Sequence, residues 1–341
     1  MPAGLLIRLR PTGPWRIGPD SGDRDRVDRI YHSDSLYSAV SGTMARLGML
    51  AEWLDATARA PETAVRFSSC FPFQGDTLLV APPRSAWPPP PSIKVRWKGA
   101  RFVPLSVVES LMQGRPLNEE GWIIDGPSEC LVPAGAQGPF RPSVRSSAAV
   151  DRDGMAVAPH STACLEFTPG AGLWLVAAFS NDTAREQWAG PLTAALRLLA
   201  DSGFGGERSR GWGRSEMPEI VEGNLPELIL APAESPAENK AGSGYWMLSL
   251  FHPGANDAVD WQRGNYSLTT RGGRIESWGD MKKPTRMVAE GSVIVASVEP
   301  HGAATDVAPD EFPHPVYRAG FALAIPIPLH VAAGVTGRPA A

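Results

Sequence analysis

Gly203-Phe204-Gly205-Gly206-Glu207-Arg208-Ser209-Arg210-Gly211-Trp212-Gly213-Arg214 packs five glycines, three arginines and two aromatic residues into twelve positions. The residues before it are periodic and apolar. Trp188, Leu192, Ala195 and Leu199 fall on one side of a helix, and Asp201-Ser202-Gly203 is a stop signal. Residues 217–221, after it, read as a strand. Glycine admits positive φ and lets a second molecule approach the main chain. Unblocked N–H groups and guanidinium forks suit phosphate oxygens, while Phe204 and Trp212 offer flat faces to bases. A tight helix-to-strand turn would use the same composition. Two nucleotide loops are excluded by spelling: no lysine follows Gly211 as in a Walker A loop, and a Rossmann fingerprint would follow a strand.

The chain has 341 residues, enough for two domains of ordinary size. With 43% hydrophobic and 20% charged residues, it has the composition of a globular protein with a real core. The 35 glycines and 34 prolines predict many loops and short elements. No apolar run nears the ~20 residues of a membrane helix, and no membrane partner is expected. The start, Met1-Pro2-Ala3-Gly4-Leu5-Leu6-Ile7-Arg8, does not have the basic-then-apolar form of a signal sequence. Cys70, Cys130 and Cys164 make neither a CxxC pair nor a disulfide set, which predicts a reducing cytoplasm and no structural zinc. The six histidines form no HxH, HExxH or HxxxH set, so no metal or other cofactor is expected. The net charge is −4, yet segments 8–29, 141–152, 203–214 and 271–290 hold 17 basic and nine acidic residues. That separation suits one basic groove on an acidic body.

Working outward, residues 4–10 alternate as a strand, with Leu5, Ile7 and Leu9 on one face. An Asp- and Arg-rich loop follows to about residue 29. Ser33 or Asp34 then caps a helix whose stripe is Leu36, Val40, Met44, Leu47 and Leu54. Strands are expected at 65–73 and 77–80, a proline bend at 88–91, and an insertion at 99–121. The basic, polar stretch 141–154 between β-like segments predicts a long projecting hairpin, about 141–167. An apolar strand covers 172–179. Residues 226–244, rich in Pro, Ala, Glu, Ser and Gly, read as a linker. Beyond it strands are expected at 245–251, 266–270, 291–298 and 321–327, then a flexible tail at 331–341. The pattern predicts an α+β fold of two ferredoxin-like units, 1–225 and 245–330.

Several stretches together resemble one family. The helix ending in the glycine-rich run, followed directly by a strand, resembles the RAMP superfamily of CRISPR RNA-binding proteins. Four more stretches resemble the subunit-four family of type III-A (Csm) effector complexes. They are Ile30-Tyr31-His32-Ser33-Asp34-Ser35-Leu36-Tyr37-Ser38-Ala39, Val144-Arg145-Ser146-Ser147-Ala148-Ala149-Val150-Asp151-Arg152, Arg271-Gly272-Gly273-Arg274 leading to Lys282-Lys283 and Glu290-Gly291-Ser292-Val293, and His314-Pro315-Val316-Tyr317-Arg318-Ala319-Gly320. They run in the family's order over roughly residues 4 to 328. The resemblance implies two packed RAMP (ferredoxin-like, RRM-like) modules with a β-hairpin thumb. It implies a subunit that caps the 5′ repeat-derived handle of a CRISPR guide RNA in antiviral defence, docking the large polymerase-like subunit and the first backbone RAMP subunit. It implies no catalytic residue and no metal. The Asp/Arg loop before His32 and the proline run depart from the pattern.

The residues then expected at RNA are Gly203, Gly205, Gly206, Arg208, Ser209, Arg210, Gly211, Trp212 and Gly213 in the loop, with His32, Ser33 and Ser35 at the helix start, Arg145 and Arg152 in the hairpin, and Lys282 and Lys283. Arg208, Arg210 and Arg214 would neutralise phosphates in a salt-dependent way, or Glu207 would orient one of them by an ion pair. Ser33 and Asp34 would cap the helix, leaving its N–H groups for a phosphate. Arg145, Asp151 and Arg152 either hold the hairpin through their own ion pair or face RNA or a neighbouring subunit. Lys282, Lys283 and Arg286 line the groove or form a solvated face. Two enzymatic alternatives are an endoribonuclease that processes precursor CRISPR RNA with His32, and one that cuts target RNA through an aspartate of the 20–28 loop.

Overall fold

The computed structural model describes residues 3–19, 22–90, 95–150, 157–231, 243–275 and 278–328. Its centre is β10 (Ala171–Phe179), a continuous apolar run whose nine residues are all buried. On one side β10 pairs antiparallel with β1 (Ala3–Leu9), Leu5 opposite Ala177 and Leu9 opposite Leu173. The outer edge of β1 takes β11 (Glu219–Asn224). The other side of β10 takes β2 (Val65–Phe67) and β3 (Phe71–Gln74), and the sheet continues through β4 (Thr77–Val80) and β5 (Val103–Pro104). Helices α1 (Ser33–Arg46) and α4 (Asp182–Ser202) pack on each other, and α4 also contacts β1 and β10. The stripe read from the sequence, Trp188, Leu192, Ala195 and Leu199, is buried on α4. Asn181 caps that helix by accepting from the Ala184 N–H at 2.9 Å.

The expected single helix from residue 33 to 54 is two. Gly48 takes φ +75° just after the end of α1, and α2 (Leu50–Ala56) starts beyond it. The ambiguous 99–121 stretch holds a short helix, α3 (Leu105–Met112), and is followed by a two-stranded ribbon, β6 (Trp122–Asp125) with β7 (Cys130–Pro133). The predicted hairpin is β8 (Phe140–Val150) and β9 (Val157–Phe167), paired without a break from Phe140↔Phe167 to Val150↔Val157. Its base is tied to the first loop: Trp15 and Leu165 exchange N–H···O bonds of 3.0 and 2.7 Å, and the Ala163 N–H donates to the Arg24 carbonyl at 2.7 Å.

A second antiparallel sheet has the order β13 (Val259–Asn265), β16 (Val293–Ala296), β12 (Ser243–Met247), β19 (Ala324–Ile327). Counted along the chain this is two-three-one-four, the same sequence as β2/β3, β10, β1, β11 in the first sheet. No helix accompanies it among the described residues. The connections instead carry two ribbons, β14 (Leu268–Arg271) with β15 (Thr285–Val288), and β17 (Ala304–Asp306) with β18 (Tyr317–Ala319). The fold is thus mixed α/β with antiparallel sheets, and its helices all belong to the first unit among the described residues. Of the stretch expected to link the units, residues 226–231 are folded: Leu225, Ile229 and Leu230 are buried, and the Pro226 carbonyl accepts from the N–H groups of Ile229 and Leu230. Residues 232–242 and the expected tail lie outside the described residues.

Candidate nucleic-acid interface

The glycine-rich loop closes on its own chain. Phe204 N–H donates to Gly213 O at 2.9 Å, Gly206 N–H to Arg16 O at 2.9 Å and Gly213 N–H to Pro14 O at 2.9 Å. Gly203 N–H donates to Leu199 O at 2.7 Å, Arg210 N–H to Glu207 O and Gly211 N–H to Arg208 O, both at 2.9 Å. The close approaches that require glycine are also internal. A Cβ on Gly213, at φ +79°, would stand 2.0 Å from Phe204 O, and one on Gly205 would stand 2.3 Å from Arg16 O. The expectation that these N–H groups are unblocked for phosphates is therefore corrected for Gly203, Gly206, Gly211 and Gly213: their donors are spent. Phe204 is corrected as well. It is 1% exposed and stacked on Trp15 at 5.1 Å and 16°, a pairing that adds about 0.5–1.5 kcal/mol to its burial. Trp212 is half-buried and Ser209 is exposed.

Charges gather on the rim of this turn. Glu207, the loop residue at φ +59°, binds Arg24 at 2.9 Å and Arg210 at 3.2 Å, the ion pair foreseen as one alternative. On the hairpin, Arg141, Ser143, Arg145 and Ser147 project on one face of β8, opposite Glu166, Cys164, Thr162 and His160 of β9. Glu166 holds Arg141 at 3.2 Å and Arg145 at 2.7 Å, both arginines more than half exposed. Exposed ion pairs of this kind contribute about 0–1 kcal/mol and exchange readily for another anion. Arg208 is half-buried, Arg214 and Arg26 are exposed, and Arg152 lies outside the described residues. Buried Arg16 was not singled out in the sequence. It donates to the carbonyls of Asp23, Arg24, Arg26 and Ala163 at 2.8–3.1 Å and so shapes the whole first loop.

The start of α1 is interior rather than exposed at His32, Ser33 and Asp34, which corrects the exposed positions expected of His32 and Ser33; Ser35 is half-buried. His32 is 7% exposed and makes no side-chain cap. Its Nδ1 meets Glu290 Oε1 at 2.7 Å and its Nε2 meets Asp28 Oδ2 at 3.1 Å. Burial alone would lower its pKa, but the two carboxylates outweigh that and lift it to about 9, so both ring nitrogens donate. Ser69 Oγ also donates to Glu290. Ser33 accepts from Leu250 N–H at 3.0 Å. Asp34 takes two bonds from Arg271, at 3.1 and 3.0 Å, and one from Arg318 at 2.8 Å. Burial would raise its pKa, yet Arg271 and Arg318 hold it down at about 2. Ser35 Oγ accepts from Arg271 at 3.1 Å. These bonds join the first unit to residues 249–318 of the second. Asp28, in the loop once considered for target cutting, is held by His32 and by Arg101 at 3.2 Å; Asp20 lies outside the described residues. Lys283 pairs with exposed Asp310 at 2.8 Å, and Lys282 is half-buried.

Residues 240–327 match the Csm4 C-terminal domain family of CRISPR proteins. A chain from the crystal structure of a Csm3–Csm4 subcomplex of the type III-A CRISPR-Cas interference complex aligns with TM-score 0.65 and 17% identity, over 95% of this chain and 99% of that one. A chain from a Csm1–Csm4 cassette in complex with cA4 aligns with TM-score 0.59 and 18% identity, over 96% and 99%. Csm4 is the component common to both assemblies. The chain has a Csm4-like fold, and its residues 240–327 match the Csm4 C-terminal domain. A cassette crystallised with AMPPNP aligns similarly, at TM-score 0.56 and 17% identity over 96% and 99%. No curated protein matches the sequence.

The Csm4-like stretches named from the sequence can now be placed. Residues 30–39, the 271–293 stretch and residues 314–320 converge on the joint between the two units, through His32–Glu290 and Asp34–Arg271–Arg318. The glycine-rich run and residues 144–150 lie together at the hairpin. Three of the five stretches thus meet at a joint, and two line a basic surface.

Proposed function

We propose that this protein is a non-catalytic subunit of a type III CRISPR effector complex, cytoplasmic and acting in antiviral defence. In this reading it holds the 5′ handle of the guide RNA and docks the large polymerase-like subunit and the first backbone subunit. The two sheets of equal strand order are two ferredoxin-like units, the second stripped of its helices. Arg145 and Arg208 meet phosphates, Ser209 and Trp212 meet sugars and bases, and Lys282 and Lys283 extend the track. The likeness to chains from assemblies containing Csm1 and Csm3 supports the partners. The observation that carries the RNA role is the basic rim: on a chain of net charge −4, arginines of the glycine-rich loop, first loop and hairpin share one surface, with the side chains of Arg24, Arg141 and Arg145 each more than half exposed.

The test is binding of labelled RNA with and without a repeat-derived 5′ handle, at several salt concentrations. The handle RNA should bind more tightly, weaken steeply with salt, and be recovered intact. Equal binding of both RNAs would remove the handle role, and cleavage by the wild-type protein would replace the reading by an endoribonuclease. A His32→Ala variant is a poor discriminator, because it strands Glu290 and Asp28 inside the fold.

A further inference from the structure

Arg210 leaves the glycine-rich loop and crosses to the hairpin. Its Nη1 donates to Ser147 Oγ at 3.3 Å and its Nη2 to His160 Nε2 at 3.0 Å, while its Nε faces Glu207 Oε2 at 3.2 Å. Ser147 and His160 are directly opposite each other in the hairpin register, so one guanidinium spans both strands. His160 must present an unprotonated Nε2 to accept that bond. The other Glu207 oxygen accepts from Arg24, whose carbonyl in turn accepts from Ala163 N–H in β9. One carboxylate therefore ties together the first loop, the glycine-rich loop and, through Arg210, the hairpin. Glu207 is suited to this: its side chain is only 15% exposed, against 54% for Arg145 and 72% for Arg141.

We propose that Glu207, Arg210 and His160 form a latch that sets the hairpin against the glycine-rich loop, and that Arg210 is a positioning residue rather than a phosphate ligand. The inference rests on the RNA-binding reading above for its functional consequence, and on geometry alone for the latch itself. Arg210 would have to give up contacts to three side chains to reach a phosphate, whereas Arg145 gives up one exposed ion pair. The latch fixes where Arg141 and Arg145 stand relative to Arg208, so RNA meets a surface already assembled.

The experiment uses the full chain and four variants, Arg210→Ala, His160→Ala, His160→Gln and Arg145→Ala. Amide hydrogen exchange is followed in the RNA-free protein, and binding of handle RNA is measured across a salt series. Arg210→Ala and His160→Ala should both accelerate exchange in 140–150 and 157–167. Both should weaken binding by about tenfold with the slope of log K against log salt unchanged. His160→Gln, which keeps an acceptor, should restore both properties. Arg145→Ala should instead flatten the slope by about 0.7, one phosphate contact on a single strand, with hairpin exchange unchanged. The latch is overturned by unchanged hairpin exchange in Arg210→Ala, or by a slope loss equal to that of Arg145→Ala. If wild-type protein binds no handle RNA, the functional reading fails, while the exchange measurements still decide the latch.

Discussion

Replacing Asp34 by alanine should loosen the seating of the second unit on the first. Asp34 is 6% exposed and receives three charged hydrogen bonds, two from Arg271 and one from Arg318, both guanidiniums also buried. Removing the carboxylate leaves two cations inside with reduced compensation. Removing one partner of a buried pair costs about 3–5 kcal/mol, well above the net worth of the bonds themselves. Arg271 retains Ser35 Oγ and Arg318 retains the Gly272 carbonyl, which places the loss near the lower end, about 3 kcal/mol. For a chain of 341 residues the unfolding entropy is about 0.7 kcal/mol/K near 60 °C, so a loss of 3–5 kcal/mol lowers Tm by about 4–7 °C. Urea titration with separate probes for the two units should show the second unit releasing first, because the damage lies at its joint. A combined replacement of Asp34, Arg271 and Arg318 by apolar residues of similar volume should recover most of the loss. An Asp34→Ala midpoint within about 1 kcal/mol of wild type would refute the reasoning, since it would mean that the guanidiniums find water when the carboxylate goes.

The same geometry yields further outcomes. Gly213→Ala should cost at least about 3 kcal/mol, since its Cβ would meet Phe204 O at 2.0 Å with φ at +79°, whereas Gly211→Ala, at φ +79° but in open space, should cost about 1–2 kcal/mol; chemical denaturation separates the two. His32 has a folded pKa raised to about 9, so its ion pairs stabilise fully below its ordinary value of 6.5 and fade as pH rises through about 9. A wild-type urea midpoint that falls between pH 7 and 10, with a much flatter profile in Glu290→Gln, is the expected signature. Arg16→Met should cost about 3 kcal/mol and accelerate amide exchange across 22–29, because four carbonyls lose their shared donor.

Features set by local pattern were legible in the sequence. The buried stripe of α4, the β8–β9 hairpin and the position of the glycine-rich loop all follow from periodicity or from turn residues within a dozen positions. The break at Gly48 was hidden because the apolar stripe continues across it into α2. In the second unit the expected strands at 245–251, 266–270, 291–298 and 321–327 coincide with β12, β14, β16 and β19, whereas β13, β15, β17 and β18 were missed. Of these, β15, β17 and β18 are only three or four residues long, and β13 shifts register between Asp260 and Asn265. The largest misreading concerned His32 and Ser33. A histidine and a serine before a helix look like an exposed cap, and nothing nearby contradicts that. Their burial is imposed by Glu290 and Leu250, more than 200 positions away. The glycines misled for a related reason: their composition announces a close approach, but not by whom. The approaching groups are Trp212, Arg16 and Phe204 of the same chain.

This divides the Csm4-like stretches by what a mutation in each can report. A substitution at His32, Asp34, Arg271 or Arg318 disturbs the joint between units, and RNA binding would fall with it whether or not RNA comes near. The same holds for Gly203, Gly205 and Gly213, whose replacement deforms the loop from within. Arg145, Arg208, Lys282 and Lys283 differ, their side chains being exposed or half-buried. A drop in affinity there, with unfolding midpoint unchanged and a shallower salt slope, has no structural explanation left. A drop in affinity at the joint always has one. The distinction turns on burial, which is why the residues that identify the chain most readily are the wrong ones with which to test its function.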